Sequence, residues 1–160
     1  TSGRVITMIA SKYNLARMTK VADILIGAVL LPGERAPVMI TREMVKTMKK
    51  GSLVIDLAID QGGCIETSRL TTLEQPTFVD EGIIHYCVPN ITSAVSRTST
   101  KVLSNLVAPC LLEIGERGLE ATLKRNKCLA RGVYVYQGKI AKKSIADRFG
   151  LEHRDIFTVL

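Results

Sequence analysis

Apolar residues fall in short blocks along the chain, separated by polar stretches that carry glycine and proline. Residues 4–10, 23–29, 52–59 and 83–88 read as four strands. The block at 23–29 is apolar at successive rather than alternate positions, which marks a parallel strand covered on both faces. Helical segments lie between the blocks. One has Asn14 as a candidate cap and ends near Ala22. Another follows Thr41 as N-cap, with Glu43 at its positive end, Lys46, Lys49 and Lys50 at its negative end, and Gly51 as its stop. A long connection is expected over 60–77, and Pro89, which has no N–H to donate, closes the fourth strand. From 98 to 118 the spacing turns helical: Leu103, Leu106, Val107, Cys110, Leu111 and Ile114 recur at steps of three and four, with Pro109 as an expected kink. Shorter helices are expected over 119–126 and 144–149, the second bounded by Ser144 and Gly150, with a short strand over 133–136.

This alternation defines an α/β fold class: an incomplete doubly wound, Rossmann-like, mostly parallel sheet followed by C-terminal helices. The division expected is a sheet-bearing part over 1–97, the second half of a nucleotide-binding domain, and a long helix with a helical tail over 98–160. The first half of such a domain carries G-x-G-x-x-G to seat a pyrophosphate on a helix N-terminus. Here no two glycines are separated by a single residue, so that turn is missing. The chain has no initiator Met and opens directly on an apolar block, which leads to the expectation that it belongs to a longer polypeptide.

Charge narrows the partners. The net charge of +7 is uneven, with eleven basic and six acidic side chains over 98–160. These basic residues have few aromatic neighbours and read as a solvated or subunit-facing surface, not a nucleic-acid groove. No apolar run is long enough to span a bilayer, and no signal-peptide pattern opens the chain. The four cysteines form no C-x-x-C pair, which argues against zinc or a redox dithiol and for a reducing, cytoplasmic compartment. Cys87 and Cys110 lie in apolar runs and read as buried thiols.

The candidate chemistry centres on residues 56–64, Asp-Leu-Ala-Ile-Asp-Gln-Gly-Gly-Cys. An apolar strand runs into two carboxylates, Asp56 and Asp60, and then a glycine pair. Ligands of open α/β sheets sit at such strand ends, and glycine lets backbone approach them closely. A carboxylate there can orient water and stabilise nearby positive charge. Asp56 reads as an acceptor of backbone hydrogen bonds, His85 as a satisfied mid-strand residue, and His153 as solvated.

Residues 20–100 resemble the second half of the nucleotide-binding domain of the alanine dehydrogenases, with the pyridine nucleotide transhydrogenases as more distant relatives. The resemblance is carried by residues 22–33, Ala36-Pro37, 41–45, 56–64, Ser68-Arg69, Thr71-Thr72, His85-Tyr86-Cys87-Val88 and 97–100, and more loosely by Gly138-Lys139 and 146–150. It implies NAD as cofactor, oxidation of L-alanine to pyruvate and ammonia, and a homo-oligomer. Position by position, it implies that Val29 and Leu30 pack on the adenine side, and that Leu57, Ala58, Ile59 and Asp60 line the nicotinamide ribose and ring. Arg69 is implied as a further cofactor contact, and Val88, Pro89, Asn90 and Ile91 as a wall near the carboxamide. Asp60 also matches a catalytic carboxylate credited with proton transfer during imine hydrolysis. The family's substrate-binding Arg, Lys and His come from another portion of the polypeptide. No metal is expected, because Arg117 matches a magnesium-binding histidine of some members. The chain departs from the family pattern at Ala10, Leu70, residues 89–92 and Ser96. A diverged non-catalytic interaction module or remnant is therefore the alternative reading, and a transhydrogenase-like subunit beside a membrane partner a third.

Overall fold

The computed structural model describes Gly3 and residues 5–160. The chain divides into two units, Thr1–Ile91 and Thr92–Leu160.

The first unit is built from helix α1 (Lys12–Thr19), strand β1 (Ile24–Gly27), helix α2 (Arg42–Lys46), strands β2 (Leu53–Asp56), β3 (Thr77–Asp80) and β4 (Ile83–Tyr86). The sheet order is β1-β2-β4-β3, with β1, β2 and β4 mutually parallel and β3 antiparallel to β4. This is the mostly parallel α/β sheet expected. Val54 and Ile83 point to one face and are fully buried, in a core with Ile40, Met44, Val45, Met48 and Ile65, against which Leu15 and Ala16 of α1 pack. Burying an aliphatic side chain of this size stabilises by about 1.5–3 kcal/mol. The opposite face is bare: Ile24 and Ile26 are 59% and 58% exposed. The sequence is apolar on both faces, yet these residues are covered on one only.

Several local expectations are corrected. Of the strand expected over 4–10, Arg4 lies outside the described residues, and 5–10 pair with no strand among them. Val5, Ile6 and Ile9 are exposed, as befits an apolar segment with no ladder to join. Helix α1 is capped by Ser11, whose hydroxyl accepts from the Asn14 N–H, while the Asn14 side chain turns back to the Ile9 carbonyl. Thr41 does cap α2, but that helix stops at Lys46, short of Gly51. Strand β3 falls at the end of a stretch expected to be only a connection. Its turn into β4 has positive φ at both Glu81 and Gly82, the type I′ geometry that matches the twist of a two-residue hairpin. Arg42 clamps this hairpin tip with a bidentate pair to Asp80 (2.9 and 3.1 Å) and a bond to Glu81 (2.8 Å), holding the Asp80 carboxyl below the usual carboxylate range.

The second unit opens on helix α3 (Ser96–Arg117), followed by α4 (Leu119–Arg125), α5 (Lys127–Arg131), hairpin strands β5 (Val135–Tyr136) and β6 (Lys139–Ile140), α6 (Lys143–Phe149) and α7 (Ile156–Val159). Leu123, Ala130 and Ile156 form its small core. Helix α3 buries none of its residues, and Leu103, Leu106, Leu111 and Leu112 are exposed. Cys110 on this helix is half-buried, not enclosed as its apolar neighbours suggested, because those neighbours are themselves bare. Helix α6 starts at Lys143 with Lys142 as N-cap, so Ser144, the cap expected, is the second residue of the helix. No described helix is long and apolar enough to cross a membrane.

Candidate cofactor site

Parallel pairing fixes where the sequence-derived candidates meet. Gly27 lies opposite Asp56, and Ile55 opposite Tyr86, so β1, β2 and β4 end at nearly one level. Val29 and Leu30 follow the first of these ends, residues 57–60 the second, and residues 88–91 the third. The connection after β2 crosses this edge. The Leu57 N–H donates to the Gly27 carbonyl at 2.7 Å, and a Cβ on Gly27 would lie 2.4 Å from the Cys64 sulfur, so only glycine lets the turn sit on the end of β1.

Asp56 organises that turn. Its carboxylate is 1% exposed. Oδ1 accepts the Ala58 N–H at 3.0 Å, while Oδ2 accepts the N–H groups of Cys64 (3.0 Å) and Ile65 (3.2 Å). The Cys64 thiol donates to Oδ1 at 3.5 Å. One buried carboxylate thus ties the start of the turn to its finish. Between them Ile59–Gln61 forms a single 3-10 turn, and Gly62 and Gly63 take φ of 96° and 77°, left-handed values that side chains resist. Burial, and then the Asp56 charge beside it, pushes the Cys64 thiol up to about 11.

The candidates differ in what they present. Ala58, Ile59 and Val88 are buried; Val29, Pro89 and Ile91 are half-buried; Leu30, Leu57, Asp60, Arg69 and Asn90 are exposed. Asp60 sits on the 3-10 turn and accepts no side-chain hydrogen bond among the described residues, so its carboxylate is free to meet water or a ligand. Asn90 holds φ of 51°, which asparagine tolerates better than most residues. Buried oxygens of Gln61 (Oε1) and Thr71 (Oγ1), on the same connection, have no hydrogen-bond partner among the described residues. Neither was legible in the sequence, since satisfaction depends on tertiary neighbours.

A second cluster was also invisible in sequence. The Arg69 guanidinium lies 4.3 Å over the centroid of Phe78, and the Phe78 ring stacks on His85 at 4.9 Å with an 18° interplanar angle. His85 is fully buried, and its Nδ1 lies 3.0 Å from the Ile83 carbonyl. A carbonyl only accepts, so Nδ1 carries the proton, and Nε2 accepts the Thr67 hydroxyl at 2.7 Å. Burial holds the ring below its ordinary pKa of 6.5, against the raising effects of Ile83 and Asp80. A histidine depressed in the fold contributes stability that is complete above its unfolded pKa and is lost as pH falls toward the folded value. Melting temperature should therefore decline as pH drops below about 6.5, and His85→Gln should flatten that part of the profile. Thermal melts of both proteins across the acid range check this.

Among the described residues no cluster of three potential metal ligands occurs. Apolar side chains at this edge stand beside exposed charged groups, Asp60 and Arg69 among them, and the side chain of Arg35 lies against Gly62 of the turn. Open α/β sheets hold their ligands in crevices at strand ends of this kind.

Residues 1–143 match the model of the alanine dehydrogenase/PNT C-terminal domain, so the chain belongs to the alanine dehydrogenase/PNT family, a family of nicotinamide dinucleotide oxidoreductases. Alanine dehydrogenase 1 of Staphylococcus aureus is 48% identical over 147 residues, which is 92% of this chain and 40% of that protein. A solved L-alanine dehydrogenase superposes with a TM-score of 0.74 at 36% identity, covering 88% of this chain and 38% of that one. A transhydrogenase from Sinorhizobium meliloti gives 0.60 at 27% identity, covering 68% and 30%. The chain thus spans about two-fifths of the length of the curated relatives it matches.

Proposed function

We propose that this chain supplies one wall of the NAD site in an enzyme that oxidises L-alanine to pyruvate and ammonia. The observation that carries the reading is the convergence of Val29, Leu30, residues 57–60 and residues 88–91 on the C-terminal ends of three adjacent parallel strands. Val29 and Leu30 would give an apolar surface to the adenine side, Leu57, Ala58 and Ile59 to the nicotinamide ribose and ring, and residues 88–91 a wall beside the carboxamide. Arg69 would offer a cation to the cofactor. Bound there, NAD would take up the hydride from the substrate Cα. Asp60 would hold the water that attacks the imine and accept its proton, a role open to an exposed carboxylate beside the ring.

The same reading makes the remainder of the polypeptide a partner of this chain. The unpaired edge of β1 and the bare Ile24 and Ile26 support it, because an open edge beside an apolar face is costly in water. The exposed leucines of α3 suit a homo-oligomer, and the free thiols suit the cytoplasm. A diverged non-catalytic module is the second reading, favoured by Pro89, which cannot donate a backbone hydrogen bond where the cofactor would lie.

Two measurements decide. The native polypeptide, expressed from its own reading frame, should form NADH from NAD only when L-alanine is present; failure to do so favours the second reading. Calorimetric titration of the 160 residues alone should give weak or no binding of NAD, and micromolar affinity would contradict dependence on further chain.

A further inference from the structure

The cation at the site is aimed by residues that do not belong to it. Arg69 has no carboxylate within salt-bridge distance among the described residues, although seven ion pairs occur elsewhere. An exposed arginine without a counter-charge ordinarily samples many rotamers, which weakens any contact it makes by the entropy of ordering it. Here its backbone is pinned on both sides: the Ser68 N–H donates to the Ile65 carbonyl at 3.0 Å and the Thr71 N–H to the Cys87 carbonyl at 3.1 Å. The second of these bonds lays Thr71, two residues further on, beside Cys87 at the end of β4. The Arg69 guanidinium rests on the face of Phe78, from the adjacent strand β3, and that ring in turn rests on the buried His85. His85 is fixed by hydrogen bonds at both nitrogens. The stack therefore rises from a rigid base to a free cation.

We infer that Phe78 is a positioning residue, which holds the Arg69 guanidinium ready for an anionic or polar group of the dinucleotide through a cation–π contact backed by His85. The inference rests on the proposed reading of Arg69 as a cofactor contact. An aromatic face is suited to this task where a carboxylate is not, since a carboxylate would neutralise the charge the ligand needs. Keeping His85 neutral fits the same scheme, because a second cation beneath the ring would repel the first.

The test is a double-mutant cycle in the native polypeptide, read as NAD affinity by calorimetry. Arg69→Ala should weaken binding by about tenfold, the effect of losing one charge-assisted contact. Phe78→Leu should weaken it by about three- to fivefold, the span of a partly exposed cation–π contact, and should add nothing once Arg69 is alanine. If Phe78→Leu weakens binding as much in the Arg69→Ala background as in the native one, Phe78 acts through the fold and the inference is overturned. If Phe78→Leu leaves affinity unchanged, it is likewise overturned. If Arg69→Ala itself has no effect, the reading of Arg69 fails, and the inference with it. Pentafluorophenylalanine at position 78 keeps the ring's shape while removing the negative face. It should reproduce the loss seen with leucine without lowering the melting temperature, and native affinity in that protein would overturn the inference even if Phe78→Leu does not fold.

Discussion

Replacing Asp60 by asparagine in the native polypeptide should reduce steady-state turnover of L-alanine by about 10²- to 10⁴-fold, the span associated with loss of a positioned acid–base group. The substitution keeps shape and polarity but removes the basic oxygen. Asp60 is exposed on the turn after β2, so the change should leave the fold intact. Hydride transfer precedes attack of water on the imine, and only the second step needs the carboxylate in this scheme. A rapid burst of NADH followed by slow turnover is therefore expected in stopped-flow absorbance. Native turnover in Asp60→Asn would remove Asp60 from the mechanism, whereas loss of the burst together with turnover would assign it to positioning the substrate.

Asp56→Ala should have the largest effect on stability. The side chain accepts three backbone N–H groups, all buried. A buried donor left without a partner costs about 1–3 kcal/mol, so the three together cost about 3–9 kcal/mol, a large part of the stability of an ordinary domain. Asp56→Asn should cost less, because one oxygen remains to accept while the amide faces donors on the other side. Urea denaturation of the three proteins, compared at equal slope, gives the ranking. A difference below about 1 kcal/mol for alanine would mean that water enters the turn and replaces the carboxylate.

Much of the sheet was legible because strands β1, β2 and β4 are dense in aliphatic residues, and Thr41 and Gly150 are strong punctuation for helices. The site loop was legible for a different reason: two carboxylates and a glycine pair after a buried strand leave few conformations open. Strand β3 was missed although Thr77, Phe78 and Val79 favour extended backbone, because it is short and, among the described residues, pairs only with the next strand in sequence. The block expected over 4–10, described from Val5 onward, failed in the opposite way. Its local pattern suits a strand, but a strand exists only when a neighbour completes the ladder, and no local pattern reports that neighbour. The Arg69–Phe78–His85 stack joins residues from a loop and two strands, so its spacing in sequence carried no signal. Ser11 displaced Asn14 as the cap of α1 for a more local reason, since Asn14 could reach back to a carbonyl while Ser11 took the free N–H.

Cys64 is shut between Gly27 and Asp56, and its proton stays on well above neutral pH. Peroxides attack the thiolate form, so this sulfur, enclosed in the turn after β2, resists oxidation. Cys128, exposed on α5, is the sulfur open to an oxidant in solvent.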